Sequence, residues 1–509
     1  MLHLGLIMKG FPKIQWLEVI AALLLYATVL IYQGYQYGDG DQSQILPCLY
    51  TQDHPGAYAG DHYVQAYLHG KINERSIFHL LFRYLGYNQP WITWIWHLLL
   101  GTALFWAWLR IASLGIAHKV YQYLAVAGIF ILGYHTSVGS NELYYNMVIP
   151  SLAAKALASW GLYYWLKEEY TRWIVFVMIA GFLQPLVGVQ LFLLTFLSSF
   201  IQFAIDKKWK EIPWRNVLIY SLFTLPWLYL LARNNGGSTD PKGFMDIMEF
   251  RLSHHFFPSC FGWLNLLAFG IFAIVTMRFY KKRLKWFMIA IVLGCILYTI
   301  GVESYRLPYA LYTQWWKTTI WLEAFLCIAI AVSLEKNYPN PKLFTKYTMA
   351  IPVAILLLIG VYRFSGWFGS SPEYMVPWAT AKSDEVDISE QAAALTPEDA
   401  VFIVPIDFTA FRWYSKRSLF VDYKALFHQE QFLREWSSRI ENIYAYGLKE
   451  KQGGFDIHVF SKTLLEEPSL ISTDYWKKLG ITHILSTSPD IKTLKLVCSN
   501  KTYSIYSLY

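Results

Sequence analysis

Long apolar runs separated by short polar loops carry the chain as far as Tyr362, after which charged residues become frequent. Apolar spans fall near 14–32, 91–110, 120–136, 149–166, 172–183, 186–205, 216–232, 262–279, 286–302, 314–333 and 347–363. The first, Ile14 to Tyr32, carries one charge, Glu18, and is long enough to cross a bilayer. No small-residue cleavage site follows it, so it is expected to stay as an anchor. The fifth, Arg172 to Leu183, is too short: at about 1.5 Å per residue it covers roughly 18 Å of a hydrocarbon core about 30 Å thick. It ends at Gln184-Pro185, and a longer apolar helix returns from there to the basic run at 206–215. The pattern predicts a re-entrant hairpin or a bent, unequal pair, with irregular backbone kept inside the protein.

With both ends of that pair on one side, the basic residues collect there. Lys207, Lys208, Lys210 and Arg215 form one cluster, and Arg278, Lys281, Lys282, Arg283 and Lys285 form another. The positive-inside rule makes this side cytoplasmic, together with the N-terminus and its Lys9 and Lys13, and puts the C-terminal part outside. Segments 33–90, 137–148, 233–261 and 303–313 then face out. Within the first, Tyr63 to Leu85 has helical spacing interrupted at Gly70, which predicts two short amphipathic helices lying in the membrane interface.

Beyond Tyr362, Gly366, Gly369, Ser370, Ser371 and Pro372 read as a linker. Val401–Pro405, Leu419–Asp422 and Thr482–Ser486 read as strands, Leu494–Leu508 as a hairpin turning near Ser499-Asn500, and Gln429–Tyr446 as a helix. The expected fold is a polytopic α-helical membrane protein of about 11 crossing helices, the short pair counted variably, with a small extracytoplasmic α/β domain. Its parts are a transmembrane domain over 1–365, which includes the first outer loop at 33–90, a linker over 366–380 and the α/β domain over 381–509.

Composition supports this class. Of 509 residues, 55% are hydrophobic, 18% aromatic and 15% charged, against about 25% charged in soluble domains. The net charge of +8 gathers in loops between spans, which argues against a nucleic-acid partner. Trp91, Trp94 and Trp96 fit an interfacial belt. The five cysteines show no metal-ligand spacing, and a Cys48–Cys260 bridge between two outer loops stays open. No dinucleotide-fold signature is present, which disfavours a cytosolic nucleotide-sugar enzyme.

Candidate chemistry begins at Tyr37-Gly38-Asp39-Gly40-Asp41-Gln42. Two carboxylates stand only a few residues past the first span, where a lipid-linked substrate would present its polar head. Either could serve as a base, or both could cap a turn. Glu142 lies in the second outer loop, and a solvated loop acid is the plain alternative. Arg251, His254 and His255 bring a planar fork and ring donors suited to phosphate, although Arg251 could equally pair with Glu249 or Asp246. Arg306, beside Glu303, and Lys317 are further cations, and snorkelling would also explain Lys317. Lys155 and Glu323 sit mid-span, where a charge costs on the order of 3 kcal/mol, so each needs a cavity or a partner, and they could pair. In the outer domain, Asp407, Arg412 and Asp422 could contact an acceptor or simply pack.

The acidic pair after the first helix, the long first loop with interfacial helices, the short helix pair and the external C-terminal domain together resemble the GT-C superfamily of membrane glycosyltransferases. Phe250-Arg251-Leu252-Ser253-His254-His255-Phe256-Phe257-Pro258-Ser259 and Ser499-Asn500-Lys501-Thr502-Tyr503-Ser504-Ile505-Tyr506 are similar to a bacterial branch of it. That branch often has His-Pro where this chain has Gln184-Pro185. The resemblance implies an inverting enzyme in the inner (plasma) membrane. It would take a sugar from a polyprenyl-phosphate-linked donor and pass it to an extracytoplasmic glycan, lipid or protein acceptor. Asp41 or Asp39 would be the base, and Arg251, His254, His255, Arg306 and Lys317 the contacts to donor phosphate. No cofactor is certain; a divalent cation held by Glu142 with Asp41 is the one the resemblance leaves room for. Two other classes compete. A transporter or lipid flippase would more often show internal repeats, and a non-catalytic GT-C-like scaffold would serve envelope assembly.

Overall fold

The structure, a computed structural model, describes residues 15–136, 138–139, 141–235, 239–339, 350–364, 383–405, 408–444, 473–487, 491 and 493–509. Lys9, Lys13, the Gly366–Pro372 linker, Asp407 and the end of the 429–446 helix beyond 444 lie outside the described residues.

The membrane part runs α1 (Trp16–Gln33), α2 (Leu46–Asp53), α3 (His62–His69), α4 (Ser76–Tyr84), α5 (Pro90–Ala112), α6 (Lys119–Thr136), α7 (Pro150–Leu166), α8 (Tyr170–Leu183), α9 (Pro185–Ile205), α10 (Trp214–Asn235), α11 (Pro241–Phe256), α12 (Trp263–Phe279), α13 (Lys282–Thr299), α14 (Pro308–Thr313), α15 (Thr319–Asn337) and α16 (Ala350–Phe364). Prolines start α5, α7, α9, α11 and α14. A first helical position tolerates proline because its missing N–H would have no partner inside the helix. Among the described residues, five stretches are long and apolar enough to cross a bilayer: α1, α5, α9, Lys282–Ser304 and Pro308–Asn337. The flanks of α10 and α12 also expose Leu218, Leu222, Leu225, Leu264, Leu267 and Ile271. Apolar surface on that scale, along both helices, is what lipid covers. The chain is a multi-pass helical membrane protein.

At the end bearing the basic loops, the Glu18 carboxylate lies 3.0 Å from Arg110 and 2.7 Å from Lys119, tying α1 to α5 and α6. The short pair takes the bent form. Gln184 adopts extended backbone angles between α8 and α9, and α9 folds back so that Trp173 stacks on Phe192 at 5.8 Å. Close approach here depends on glycine: a Cβ on Gly188 would stand 2.1 Å from the Gly181 nitrogen.

The structure departs from expectation in four places. Segment 233–261 is largely the helix α11, broken at Leu252 (φ −131°, ψ 28°). An unanticipated helix, α2, precedes the two expected short helices, α3 and α4. The Lys155–Glu323 pair is not made: the Lys155 ammonium donates to the Glu142 carbonyl and lies 4.5 Å from the Tyr145 ring. One Glu323 oxygen has no partner among the described residues. Likewise, all five cysteines are free thiols, with Cys48 buried and Cys260 exposed, so the bridge between them does not form.

In the C-terminal domain, β1 (Val401–Ile403), β2 (Ser418–Leu419), β3 (His483–Ser486), β4 (Lys495–Ser499) and β5 (Ser504–Ser507) form one sheet in the order β2-β1-β3-β5-β4. β1 runs parallel to β2 and β3, whereas β5 is antiparallel to β3 and β4. Helix α17 (Asp384–Leu395) covers the sheet with Ile388 and Ala392 against Phe402, Leu485 and Ile505. β2 is shorter than expected because the chain leaves the sheet before Asp422, whose backbone oxygen accepts from the Trp436 indole and whose carboxylate accepts from the Ala425 amide. Trp436 lies on α19 (Glu430–Tyr444), numbered after the short helix α18 (Phe411–Ser415).

Substituting Gly188→Ala should separate α8 from α9. Overpacking of this kind costs about 1–3 kcal/mol, so the thermal midpoint in detergent should fall, while Gly133→Ala, which meets open space, should leave it unchanged.

Candidate functional site

The stretch after α1 is shaped by one buried side chain. Gln42 accepts from the Gly38 amide at 2.9 Å and donates to the Val148 carbonyl at 3.1 Å, fastening the first outer loop to the second. Residues 40–44 form a short 3-10 helix, capped by Asp39, whose carboxylate accepts from the Gly40 amide at 2.6 Å and from the Thr409 hydroxyl. Asp41 follows on the same turn, half-buried, and lines a chamber of about 790 Å³.

Three parts of the protein converge on this chamber. Helix α11 contributes Arg251, His254 and His255, the first loop contributes Asp41, Glu74 and Arg75, and the C-terminal domain contributes Lys424 and His428. Lys317 enters from just before α15. The other flank is apolar, formed by Leu186, Val189 and Leu193 of α9 with Leu228 and Leu231 of α10. The lining therefore combines a cation-rich polar part with an apolar stretch on α9 and α10, broken by Gln184 and Gln190.

Lys424 is the direct partner of Asp41, at 2.7 Å. Burial alone would raise the Asp41 carboxyl; the Lys424 ammonium, with Arg75 beyond it, outweighs burial and holds it below its ordinary value. Glu142 moves the other way. Burial raises its carboxyl, Lys155 opposes the rise, and the charge on Asp41 adds to it. The two acids are thus set apart, one ionised and one drawn toward its neutral form. Among the described residues no group of three or more His, Cys, Asp and Glu side chains is disposed to hold a metal ion.

Arg251 spends its fork on backbone. Its Nε donates to the Tyr423 carbonyl at 2.6 Å, one terminal nitrogen reaches the Lys424 carbonyl at 3.4 Å, and the guanidinium lies 3.5 Å from the Tyr423 ring. Tyr423 returns a hydrogen bond to the Arg251 carbonyl at 2.8 Å. Arg251 therefore holds in place the residue that carries Lys424. It does not pair with Asp246 or Glu249; Arg306 takes both, at 2.7 and 3.0 Å, and lies outside the chamber wall. Burial pushes His254 down to about 4 and His255 to about 3, with Arg251 and Lys424 adding to the first and His254 and Lys317 to the second. Both rings are neutral near pH 7, so they offer hydrogen bonds rather than charge. The His255 Nδ1–H donates to the Gly139 carbonyl at 3.0 Å. Among the described residues, the Lys317 ammonium has no hydrogen-bond or ion-pair partner.

Arg75, Lys424 and His428 are absent from the candidates the sequence offers, and Gln42, inside the acidic stretch after α1, carried no role there. Arg75 had a visible signal, a lone arginine opening an amphipathic helix beside a membrane. Lys424 had none, because it reaches Asp41 only once the C-terminal domain has docked.

That docking is carried by Arg412, which is 2% exposed. Its guanidinium lies 2.7 Å from Asp61 of the first loop and also pairs with Asp422. Asp61 further accepts from the amides of Val64 and Leu419. Arg412 and Asp422 thus form a buried ion-pair network rather than a surface facing an acceptor.

Residues 383–443 match the family model described as Domain of unknown function (DUF6798), a stretch that includes α17, β1, β2 and nearly all of α19. No curated protein matches the chain. Among solved structures, the chain is similar to ArnT from Cupriavidus metallidurans bound to undecaprenyl phosphate, with 12% identity and a TM-score of 0.40 over 98% of this chain and 99% of that one. It is also similar to the apo form of that protein, with 13% identity and a TM-score of 0.38 over 97% of each chain. A third likeness is to the Archaeoglobus fulgidus oligosaccharyltransferase tethered with an acceptor peptide, with 12% identity and a TM-score of 0.46 over 93% of this chain and 69% of that one. At these identities and scores, likeness by itself assigns neither reaction nor ligand.

Two outcomes follow from this geometry. Arg412→Ala leaves two buried carboxylates without their cation, which should cost about 3–5 kcal/mol and expose the first loop to protease, read by limited proteolysis. For His254 and His255 the folded-state values lie below the ordinary value of about 6.5. Their contribution to stability is therefore complete above that value and is lost as pH falls toward about 4 and 3. Thermal stability should drop as the medium is acidified through this window, and less steeply in the His254→Asn, His255→Asn double variant.

Proposed function

We propose that this protein is a GT-C-type membrane glycosyltransferase that takes a sugar from a polyprenyl-phosphate-linked donor and passes it to an acceptor outside the cytoplasm. The observation that carries the reading is the chamber's division. A cation-rich part of the wall, where basic side chains outnumber Asp41 and Glu74, adjoins an apolar flank, which suits a ligand with an anionic head and a hydrocarbon tail. An anion alone would not need the α9–α10 flank, and a lipid alone would not need Lys424, Lys317 and Arg75.

In this mechanism the Asp41 carboxylate takes the proton from the acceptor hydroxyl as its oxygen bonds to the anomeric carbon. The bond from that carbon to the phosphate oxygen breaks, and the electron pair leaves on the lipid phosphate. Lys424, Lys317 and Arg75 neutralise the charge that develops there, and Arg251 holds Lys424 in register. His254 and His255 offer neutral hydrogen bonds to the donor head. Direct attack from the opposite face inverts the anomeric centre. Asp39, already occupied by Gly40 and Thr409, is assigned the turn, and Glu142, drawn toward its neutral form, a supporting role beside Lys155. The basic loops at the far end of the bundle support a cytoplasmic N-terminus and an extracytoplasmic C-terminal domain.

The test is sugar transfer from a panel of radiolabelled polyprenyl-phosphate sugars in proteoliposomes. Asp41→Asn should lower donor turnover about 10²–10⁴-fold, the range expected for loss of a general base. Asp39→Asn should act through stability and leave turnover per folded molecule near wild type. Equal turnover by wild type and Asp41→Asn would remove Asp41 from the chemistry. Failure to consume any donor across the panel would favour a transport or scaffold role.

A further inference from the structure

A second cavity lies at the opposite end of the bundle from the chamber and plays no part in the proposed reaction. It encloses about 890 Å³. Its inner wall is hydrocarbon: Leu114 from the turn after α5, Phe203 from α9, Leu284 from α13, and Phe325, Ile328 and Val332 from α15. Its rim is charged, with Lys208, Arg278, Lys281, Lys282, Arg283 and Lys336 set against Glu168, Asp206 and Glu211. The acids are already matched. Glu211 pairs with Lys208 at 3.0 Å, Glu168 with Arg283 at 3.3 Å, and Asp206 accepts from the Gln202 amide at 2.8 Å. Arg283 is also committed to the Leu166 carbonyl at 2.5 Å. Arg278, Lys281, Lys282 and Lys336 remain, with no ion-pair partner among the described residues; Lys336 lies 5.8 Å from the Phe279 ring, which leaves the first three. Lys285, equally unpaired there, lines an adjoining hollow with the same three.

Unmatched cations grouped on the rim of an apolar hollow at a membrane face complement an anionic head joined to acyl chain. We propose that this cavity binds an anionic phospholipid, with its phosphate held by Arg278, Lys281 and Lys282 and its upper acyl carbons against Phe325, Ile328 and Val332. Free phosphate would satisfy the rim and leave the apolar wall unused, so the lipid is the occupant assigned.

The full chain purified in detergent, supplied with equal phosphatidylglycerol and phosphatidylcholine and analysed by native mass spectrometry, tests this. Wild type should retain phosphatidylglycerol several-fold over phosphatidylcholine. The triple variant Arg278→Gln, Lys281→Gln, Lys282→Gln should lose that preference. A control with Lys207→Gln, Lys210→Gln and Arg215→Gln removes the same charge from the same end but outside the cavity, and should keep it. Equal loss in both triple variants would reduce the effect to general surface charge and overturn the site. So would the absence of any preference in wild type. Displacement of phosphatidylglycerol by an excess of inorganic phosphate would overturn the lipid assignment in favour of a soluble anion. None of these outcomes depends on sugar transfer, so the proposal stands or falls apart from the reaction.

Discussion

Arg412 is the contact on which the outer half of the protein depends. A guanidinium buried between Asp61 and Asp422 joins the first loop to the C-terminal domain. Desolvating three charges makes such a network a weak source of net stability, but its geometry admits one docking. Two glycines let the surfaces meet. Gly38, at φ +77°, would place a Cβ 2.3 Å from Trp413, and Gly60 would place one 2.5 Å from Val401. The Tyr58 hydroxyl adds a bond to the Arg412 carbonyl at 2.9 Å. The chamber's third wall, with Lys424 and His428, exists only because this joint is closed.

Much of the fold was legible because periodicity is local. Each apolar span is a helix, the break at Gln184-Pro185 falls where the short run ended, and the strands lie within a few residues of their expected places. Asp41 was legible for the same reason, since its position follows from the end of α1. What escaped was set by distant pairing. Lys424 meets Asp41, Arg306 takes the acids that Arg251 could have taken, and Lys155 turns to a backbone oxygen of the second loop instead of Glu323. Side chains in a polar interior choose among several partners of suitable charge, and only the assembled geometry decides between them. Gln42 shows the same limit. It directly follows Asp41, yet its importance comes from Val148, which no local pattern connects to it.

The histidines illustrate how burial changes what a residue type can do. Paired histidines beside an arginine suggest positive charge, but desolvation together with nearby cations disfavours adding protons to them. The chamber's positive charge therefore rests on lysine and arginine. On its wall the basic side chains Arg75, Arg251, Lys317 and Lys424 outnumber the acidic Asp41 and Glu74. That imbalance persists with the Asp41–Lys424 pair formed, and it favours an anionic ligand.

The same pair sets a condition on the chemistry. A carboxylate held 2.7 Å from an ammonium is stabilised in its charged form and is a poorer base for it. An anionic donor head entering the chamber would compete with Asp41 for Lys424, and every step by which the ammonium turns toward phosphate returns basicity to the carboxylate. Lys317, without a partner among the described residues, and Arg75 would remain to hold the head meanwhile. Donor binding and activation of the base would then be one event, because a single ammonium cannot fully serve both anions. In the proposed mechanism, the Asp41–Lys424 pair would also keep Asp41 from acting before a donor binds. An acceptor hydroxyl arriving first would meet a carboxylate whose charge is already compensated. The lowered pKa of Asp41 is thus compatible with the proposed role as base, since the donor that must be in place before the acceptor is deprotonated is the ligand that would draw Lys424 away.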